Sequence, residues 1–324
     1  MKDNTKYDLT EEEYQICLKK AEMQVFLNAR KSKHPTSIFI VAQPGAGKTG
    51  LRTYIERESG KLKSFIEFDP DEVAIHHKHY HKILEEFPKE SYSILQRFVS
   101  PALDTYLKKK AVQLRANMIQ EGTFAATNAY IDILDFQKNG GNANIGPMNE
   151  NGEREEVKVQ GGYEIDVNVL AVHRFESLLS SYEREQYDFI EHNLPPRAVT
   201  APNHDRAYNN MINTIRNIEG RKLSDNIRVF KRGKEEEQPE VIYETGSKKY
   251  PSAVEAILQE REKNRVQILS NPEVYRQRIA KLKQRVSQNK NVANAQIQIV
   301  KIEELEQEFE QDLEQYVAQE EPTN

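Results

Sequence analysis

Between Leu9 and Lys31 the apolar positions Tyr14, Cys17, Leu18, Ala21, Val25, Phe26 and Ala29 recur at helical spacing, and Thr10 with Glu13 forms a capping box ahead of them. This predicts an amphipathic N-terminal helix that stops at Lys33-His34-Pro35. The period then changes. Ser37-Ile38-Phe39-Ile40-Val41-Ala42 is a continuous apolar run of strand length, as expected of a strand buried on both faces of a parallel sheet. A buried run at Ser64 to Phe68, a weaker one at Ala116 to Gln120, a long one rich in β-branched residues at Tyr163 to Val172 and a fourth at Asn226 to Lys231 predict four more strands. Helical patterns at about 47–58, 90–114, 174–192 and 203–219 lie between them. Strands alternating with helices imply βαβ units, so the expected core is an α/β fold with a doubly wound, mostly parallel sheet.

Two regions break the rhythm. From Asn139 to Gly162 the turn formers Asn139-Gly140-Gly141-Asn142, Gly146-Pro147, Asn151-Gly152 and Gly161-Gly162 predict an inserted loop or hairpin. From Pro251 onward Gly is absent, and helical stretches are expected at about 252–270, 273–288 and 292–318. The middle stretch is basic (Arg276, Arg278, Lys281, Lys283, Arg285), and the last sets Ile302, Leu305, Phe309, Leu313 and Tyr316 amid many Glu. Opposite charge would pair these two as a hairpin packed on the core. The expected organisation is an N-terminal helix (1–34), a core (35–250) with an insertion at 139–162, and a charged helical extension (251–324).

Composition narrows the class. Across 324 residues, 30% are charged and the mean hydropathy is −0.78, with no apolar run of membrane-spanning length. The first ten residues are polar, without the apolar stretch of a secretory signal. The lone Cys17 has no partner for a disulfide, so the expectation is a soluble, cytoplasmic chain with no membrane partner. Net charge of −5, from 46 basic and 51 acidic residues, argues against nucleic acid as a partner.

The chemical signal sits at the end of the first strand. Ala42-Gln43-Pro44-Gly45-Ala46-Gly47-Lys48-Thr49 matches the phosphate-loop pattern G-x-x-x-x-G-K-[ST], with Ala42 in place of the first Gly. A strand precedes it and a helix follows, the context the mechanism requires. The loop Gln43 through Gly50 is expected to bind ATP, its backbone N–H groups (Pro44 having none) ringing the phosphates and the helix N-terminus adding its positive end. Lys48 would bridge the β- and γ-phosphates, and the Thr49 hydroxyl would hold Mg²⁺. Gly45 and Gly47 are read as letting the backbone approach the phosphates.

Within P-loop proteins, a GTPase would carry Asn-Lys-x-Asp, whereas Asn289-Lys290 is followed by Asn291-Val292 in the tail. A motor ATPase would carry four apolar residues before Asp-Glu, whereas Phe65-Ile66-Glu67-Phe68-Asp69 has a charge in the middle. A small-molecule kinase remains, with Asp69 and Asp71 at the tip of the second strand as candidates to accept a hydroxyl proton. Arg184 and Arg197 are candidate cations for the charge that develops on the transferred group.

Gln43 through Thr49, Asp69-Pro70-Asp71, Glu121-Gly122-Thr123 and Glu183-Arg184 with Arg197, in that order, resemble the zeta toxin family of toxin–antitoxin systems over about residues 36–232. The resemblance implies a P-loop kinase fold that transfers the γ-phosphate of ATP to the sugar 3′-hydroxyl of UDP-N-acetylglucosamine, and an antitoxin partner. It implies Asp71 as general base, Lys48 and Thr49 as ATP and Mg²⁺ contacts, Arg184 and Arg197 as the charge-stabilising pair, and Glu121 and Thr123 as contacts to the amino sugar. One departure concerns the acceptor. The family's substrate-binding Glu in the helix before Glu-Gly-Thr has no counterpart in Asp104-Thr105-Tyr106-Leu107-Lys108, where Asp104 is a shorter stand-in. The insertion and the tail also lack obvious counterparts.

Other readings stay open at this stage: a kinase of the same architecture with a nucleotide or NAD as acceptor, and a nucleotide-dependent interaction protein. His76, His77, His79 and His81 offer an i, i+4 pair, but without a full ligand set they are expected to form part of the cleft wall.

Overall fold

A computed structural model describes residues 4–60, 65–87, 90–149, 152–191, 199–233, 238–288 and 292–320. Its centre is a six-stranded sheet. The strands β1 (Thr36–Val41), β2 (Ile66–Phe68), β3 (Met118–Gly122), β6 (Glu164–Ala171), β7 (Asn226–Lys231) and β8 (Glu240–Glu244) stand in the order β2-β3-β1-β6-β7-β8. All neighbours run parallel except β7 and β8. The carboxyl ends of the five parallel strands therefore share one edge, and β1 sits where the chain order reverses, the usual ligand crevice of such sheets.

Alternation along β1 builds both faces. Ile38 and Ile40 pack with Leu51 and Ile55 of α2 (Lys48–Ser59), while Phe39 and Val41 face the larger core beneath α1 (Glu11–Val25) and α9 (Ala201–Arg221). That larger core also receives α4 (Tyr80–Glu86), α5 (Ser91–Pro101), α6 (Lys108–Leu114), α7 (Thr127–Asn139) and α10 (Ala253–Leu269). Each fully buried Ile or Phe contributes about 1.5–3 kcal/mol. Helices on both faces of a mostly parallel sheet are the architecture the sequence predicts.

The third strand lies two residues further on than expected. Ser37 pairs with Met118, so the ladder carries Glu121 and Gly122 within β3, and Ala116 instead bridges Lys31. The turn-rich stretch folds into an antiparallel pair, β4 (Gly140–Met148) and β5 (Arg154–Gln160), separate from the main sheet. Thr10 caps α1 with the reciprocal Glu13 contact read from the sequence. Between α5 and α6 the segment Ala102–Leu107 makes π-helical turns directly after Pro101, whose missing N–H breaks the regular ladder.

After α10, the helices α11 (Pro272–Ser287) and α12 (Val292–Glu320) pack on α8 (Arg174–Glu191). Phe175, Leu178, Leu179 and Tyr182 of α8 meet Ile279, Leu282 and Val286 of α11 and Ile302, Leu305 and Phe309 of α12, with the Phe175 and Phe309 rings stacked at 4.8 Å. The expected charge pairing is present: Arg276 holds Glu310 at 2.8 and 2.6 Å, and Lys283 holds Glu306. Such solvent-screened pairs add little, so the apolar seam supplies most of the adhesion. Among the described residues no helix is long and apolar enough to cross a membrane.

Three of the four clustered histidines make packing contacts with neighbouring elements, a role their reading as cleft wall did not include, and His81 is exposed. His76 Nε2 meets Gln24 Oε1 at 2.6 Å, His79 packs on Tyr7 at 5.4 Å, and His77 is buried against Phe98 at 5.8 Å. Desolvation drives His77, His173 and His204 down to about 4. Between the ordinary imidazole value of 6.5 and about 4 the unfolded chain takes up protons that the folded chain refuses. Stability therefore falls as pH drops through that window, by up to about 3 kcal/mol for each histidine. The melting temperature is expected to decline from pH 7 to pH 4.5 and to decline less in His77→Gln; equal slopes for the two proteins would contradict the assignment.

Candidate active site

The loop after β1 is fastened on three sides. Ala42 N donates to the Gly122 carbonyl at 3.1 Å, extending the β1–β3 ladder by one step. The Ala42 side chain is fully buried among Leu51 and Ile55, so the methyl that replaces the pattern's first glycine fills core space. Gln43, also fully buried, donates from Nε2 to the Val172 carbonyl at 2.8 Å and to Ser177 Oγ at 3.2 Å, tying the loop to the start of α8. Ser177 in turn meets His204 Nε2 at 2.9 Å, which joins α9 to the same buried network.

Both loop glycines occupy the left-handed region, Gly45 at φ +74° and Gly47 at +99°. Their reasons differ. A Cβ on Gly45 would lie 1.9 Å from the Ser177 carbonyl and 2.8 Å from Ser181 N, so this glycine is required because α8 passes against it. This is a reason beyond the phosphate approach read from the sequence. Gly47 has no such neighbour; it turns the chain into α2 as the N-cap. Pro44 is half-buried and Ala46 fully buried, while Thr49 and Gly50 are exposed on the first turn of α2.

Lys48 Nζ donates to the Ala42 carbonyl at 3.2 Å, curling back over the loop. Burial pushes its ammonium down to about 8; the Glu121 carboxylate opposes the fall and the Arg184 charge adds to it. The three side chains thus act on one another, although they come from α2, β3 and α8. Arg184 is exposed on α8, and its neighbour Glu183 is held by Arg278 of α11 at 3.0 and 2.7 Å.

Asp71 begins α3 (Pro70–Ala74), immediately after β2 and at the same sheet edge as the loop. Two strand spacings separate β2 from β1, about 10 Å. Asp69 is spent as the N-cap of α3, accepting from Asp71 N at 2.8 Å, which separates the two carboxylates that the sequence offered together. Arg52 of α2 links the floor of the site, reaching Glu67 Oε2 at 2.6 Å and Glu121 Oε1 at 3.5 Å.

Behind Glu121-Gly122-Thr123 stands Tyr130, which sequence reading did not single out. Its hydroxyl would lie 2.4 Å from a Cβ on Gly122, and the backbone N–H groups of Thr123 and Phe124 donate to it. Desolvation, helped by the Asp104 carboxylate, pushes the phenol up to about 12. Asp104 is therefore close to the Glu-Gly-Thr segment, and it also pairs with Lys108 at 2.6 Å. Phe124, fully buried at φ +54°, is a strained non-glycine position beside the site, held by Thr214 Oγ1 donating to its carbonyl at 2.8 Å. Thr123 Oγ1 accepts from Ala125 N at 3.4 Å.

Arg197 and the Pro195-Pro196 segment before it lie outside the described residues, as do Asn289-Lys290-Asn291. Among the described residues no three His, Cys, Asp or Glu side chains form a metal-binding group. Arg232, directly after β7, was also missed: it borders the loop, donating to the Gly45 carbonyl at 3.5 Å. A cation at the carboxyl end of the predicted fifth strand was the signal available for it.

Comparison with known proteins bears on the family and the fold. The sequence profile of the Zeta toxin family matches residues 21–153 and 147–247. Toxin PezT of Streptococcus pneumoniae serotype 4 (strain ATCC BAA-334 / TIGR4) is 23% identical over 226 residues, covering 69% of this chain and 79% of PezT. Toxin zeta of Streptococcus agalactiae is 22% identical over 228 residues, 69% of this chain and 70% of that toxin. A solved structure from the PezAT chromosomal toxin–antitoxin system of Streptococcus pneumoniae superposes with a TM-score of 0.61 at 21% identity, covering 85% of this chain and 98% of that one, a likeness that bears on the fold. The profile spans well over half of the sequence and runs through the phosphate loop, Asp71, Glu121 and Arg184, and the chain belongs to the zeta toxin family.

Proposed function

We propose that this protein is an ATP-dependent kinase that transfers the γ-phosphate to a sugar hydroxyl of UDP-N-acetylglucosamine or a related UDP-sugar. One arrangement carries the reading: a loop turned by two left-handed glycines curls Lys48 back over the Ala42 carbonyl at the carboxyl edge of the parallel strands, the edge at which Asp71 follows β2 and Glu121 lies near the end of β3.

The loop fits a triphosphate. Its amides and the N-terminus of α2 offer the anion cradle, and Lys48, now on a carbonyl, has a donor to give to phosphate oxygens. The exposed Thr49 hydroxyl at the first turn suits Mg²⁺, which takes few protein ligands and keeps oxygens of water and phosphate. When bound, that ion offsets charge on the β- and γ-oxygens. Asp71 takes the proton from the attacking hydroxyl. Lys48 and Arg184, with Arg197, stabilise charge on the equatorial oxygens. Glu121 and Thr123 hold the acceptor sugar, and Asp104 lies near enough to Tyr130 to supply a second carboxylate to that wall. The antitoxin of the PezAT system is a property of that relative; here we extend it to a protein partner that silences the kinase.

The test is ADP release against UDP-sugars, nucleosides and dinucleotides, with the phosphorylated product identified by phosphorus NMR. A UDP-sugar is expected to give the highest turnover; a nucleoside or NAD doing so would replace the acceptor, and no acceptor-dependent turnover would end the reading. The depressed Lys48 value adds a pH prediction. Bound phosphates need the ammonium form, so affinity falls as pH rises through 8. With Lys48 kept protonated in the complex, the loss between pH 7.5 and 9.5 is about 20-fold. ATP dissociation constants across that range check it, and a flat profile would contradict it.

A further inference from the structure

Arg232 lies at the rim of the phosphate loop on the β7 side, opposite Asp71 and Glu121. Its Nη1 makes three long hydrogen bonds, to the Gly45 carbonyl at 3.5 Å, Glu176 Oε1 at 3.4 Å and Ser180 Oγ at 3.3 Å. Its Nε stands 3.5 Å from the position a Cβ on Gly47 would take. Among the described residues Nε and Nη2 make no hydrogen bond, so a fork with five N–H groups keeps most of its donors beside the two glycines that bracket a bound phosphate.

Glu176 explains why this guanidinium is so loosely held. Its side chain is only 12% exposed, and Arg278 of α11 donates from Nη1 to both carboxylate oxygens at 2.9 and 3.0 Å. The Tyr275 hydroxyl and Ser180 Oγ also reach it. Arg278 further grips Glu183, so its one charge serves two carboxylates of α8. With Glu176 thus satisfied, Arg232 is tethered near the loop without being captured by an ion pair of normal length.

We propose that Arg232 is a further nucleotide-binding residue, holding the phosphate chain of ATP from the β7 side, and that Glu176 and Arg278 position it. The C-terminal helices then form part of the support of the nucleotide site. This rests on the reading of the loop as an ATP site. Removing Arg278 leaves Glu176 unpaired, and Arg232 closes onto it and away from the phosphates.

Binding of ATP, ADP and AMP to the full chain is the test, by calorimetry, with thermal unfolding as a check on folding. Arg232→Ala is expected to weaken ATP and ADP about tenfold to hundredfold, as for a lost charge-assisted hydrogen bond. Arg232→Lys recovers part of the loss, and AMP is little changed. Arg278→Ala weakens ATP binding in the wild-type background and has no further effect in Arg232→Ala. Equal effects of Arg278→Ala in both backgrounds would mean that it acts on the fold alone and would overturn the positioning role. Wild-type affinity in Arg232→Ala, or an equal loss for AMP, would overturn the contact to the phosphate chain while leaving the loop reading intact. Failure of the wild type to bind ATP, or indifference to Lys48→Ala, would remove both.

Discussion

Asp71→Asn is expected to lower phosphoryl transfer about a thousandfold while ATP binds as before, since a positioned general base contributes roughly 10²–10⁴. The amide keeps the size of the carboxylate and leaves the backbone N–H of residue 71 on the Asp69 cap, so α3 stays in register. What it loses is the ability to take a proton. Asp69→Asn is the matched control. Asn caps a helix about as well as Asp, so this second change should leave turnover near the wild-type rate. ADP release from both variants, measured at saturating ATP, decides the assignment. Normal turnover in Asp71→Asn with loss in Asp69→Asn would exchange their roles.

Gly45→Ala should abolish ATP binding and destabilise the fold by about 3 kcal/mol or more, adding overpacking to left-handed strain. The new methyl would meet the Ser177 carbonyl at 1.9 Å and Ser181 N at 2.8 Å, and both are backbone atoms of a helix that cannot step aside by rotating a side chain. The loop and α8 must separate, which breaks the Gln43 contacts to Val172 and Ser177 and moves Arg184 away from Lys48. Gly47→Ala is the informative contrast. Its φ of +99° brings strain, but the nearest atom to the added methyl is Arg232 Nε at 3.5 Å, so the cost should be about 1–2 kcal/mol. Denaturant unfolding and ATP titration of the two variants measure the difference; similar losses would show that phosphate access, and not α8, sets the requirement at Gly45.

Much of the fold was legible because its strands are short apolar runs bounded by turn formers. The first and fifth were found within a residue, β7 at Asn226–Lys231 and β1 one residue earlier than the pattern suggested. The third was placed too early because Ala116 and Asn117 read as part of the run, whereas register against Ser37 begins at Met118. Edge strand β8 went unseen: Glu240-Val241-Ile242-Tyr243-Glu244 has three apolar residues between charges, too few for periodicity to register. Within the site, Gly45, Lys48, Asp71, Glu121 and Arg184 announce themselves by motif and order. Tyr130, Glu176 and Arg232 do not, because their importance comes from which backbone or charge lies opposite in space. Gly45 shows the limit most clearly: the close pass of α8 was invisible in the sequence, since Ser177 is distant in the chain and adjacent only in the fold.

The apolar stripe of α8, built from Phe175, Leu178, Leu179 and Tyr182, is covered by α11 and α12, which are synthesised well after it. A nascent chain that has reached Tyr250 would already hold the phosphate loop yet carry an uncovered oily strip beside it. Trimming the gene to the family-matched segment would create the same sticky surface, so a shortened recombinant version invites self-association unless those four side chains are made polar.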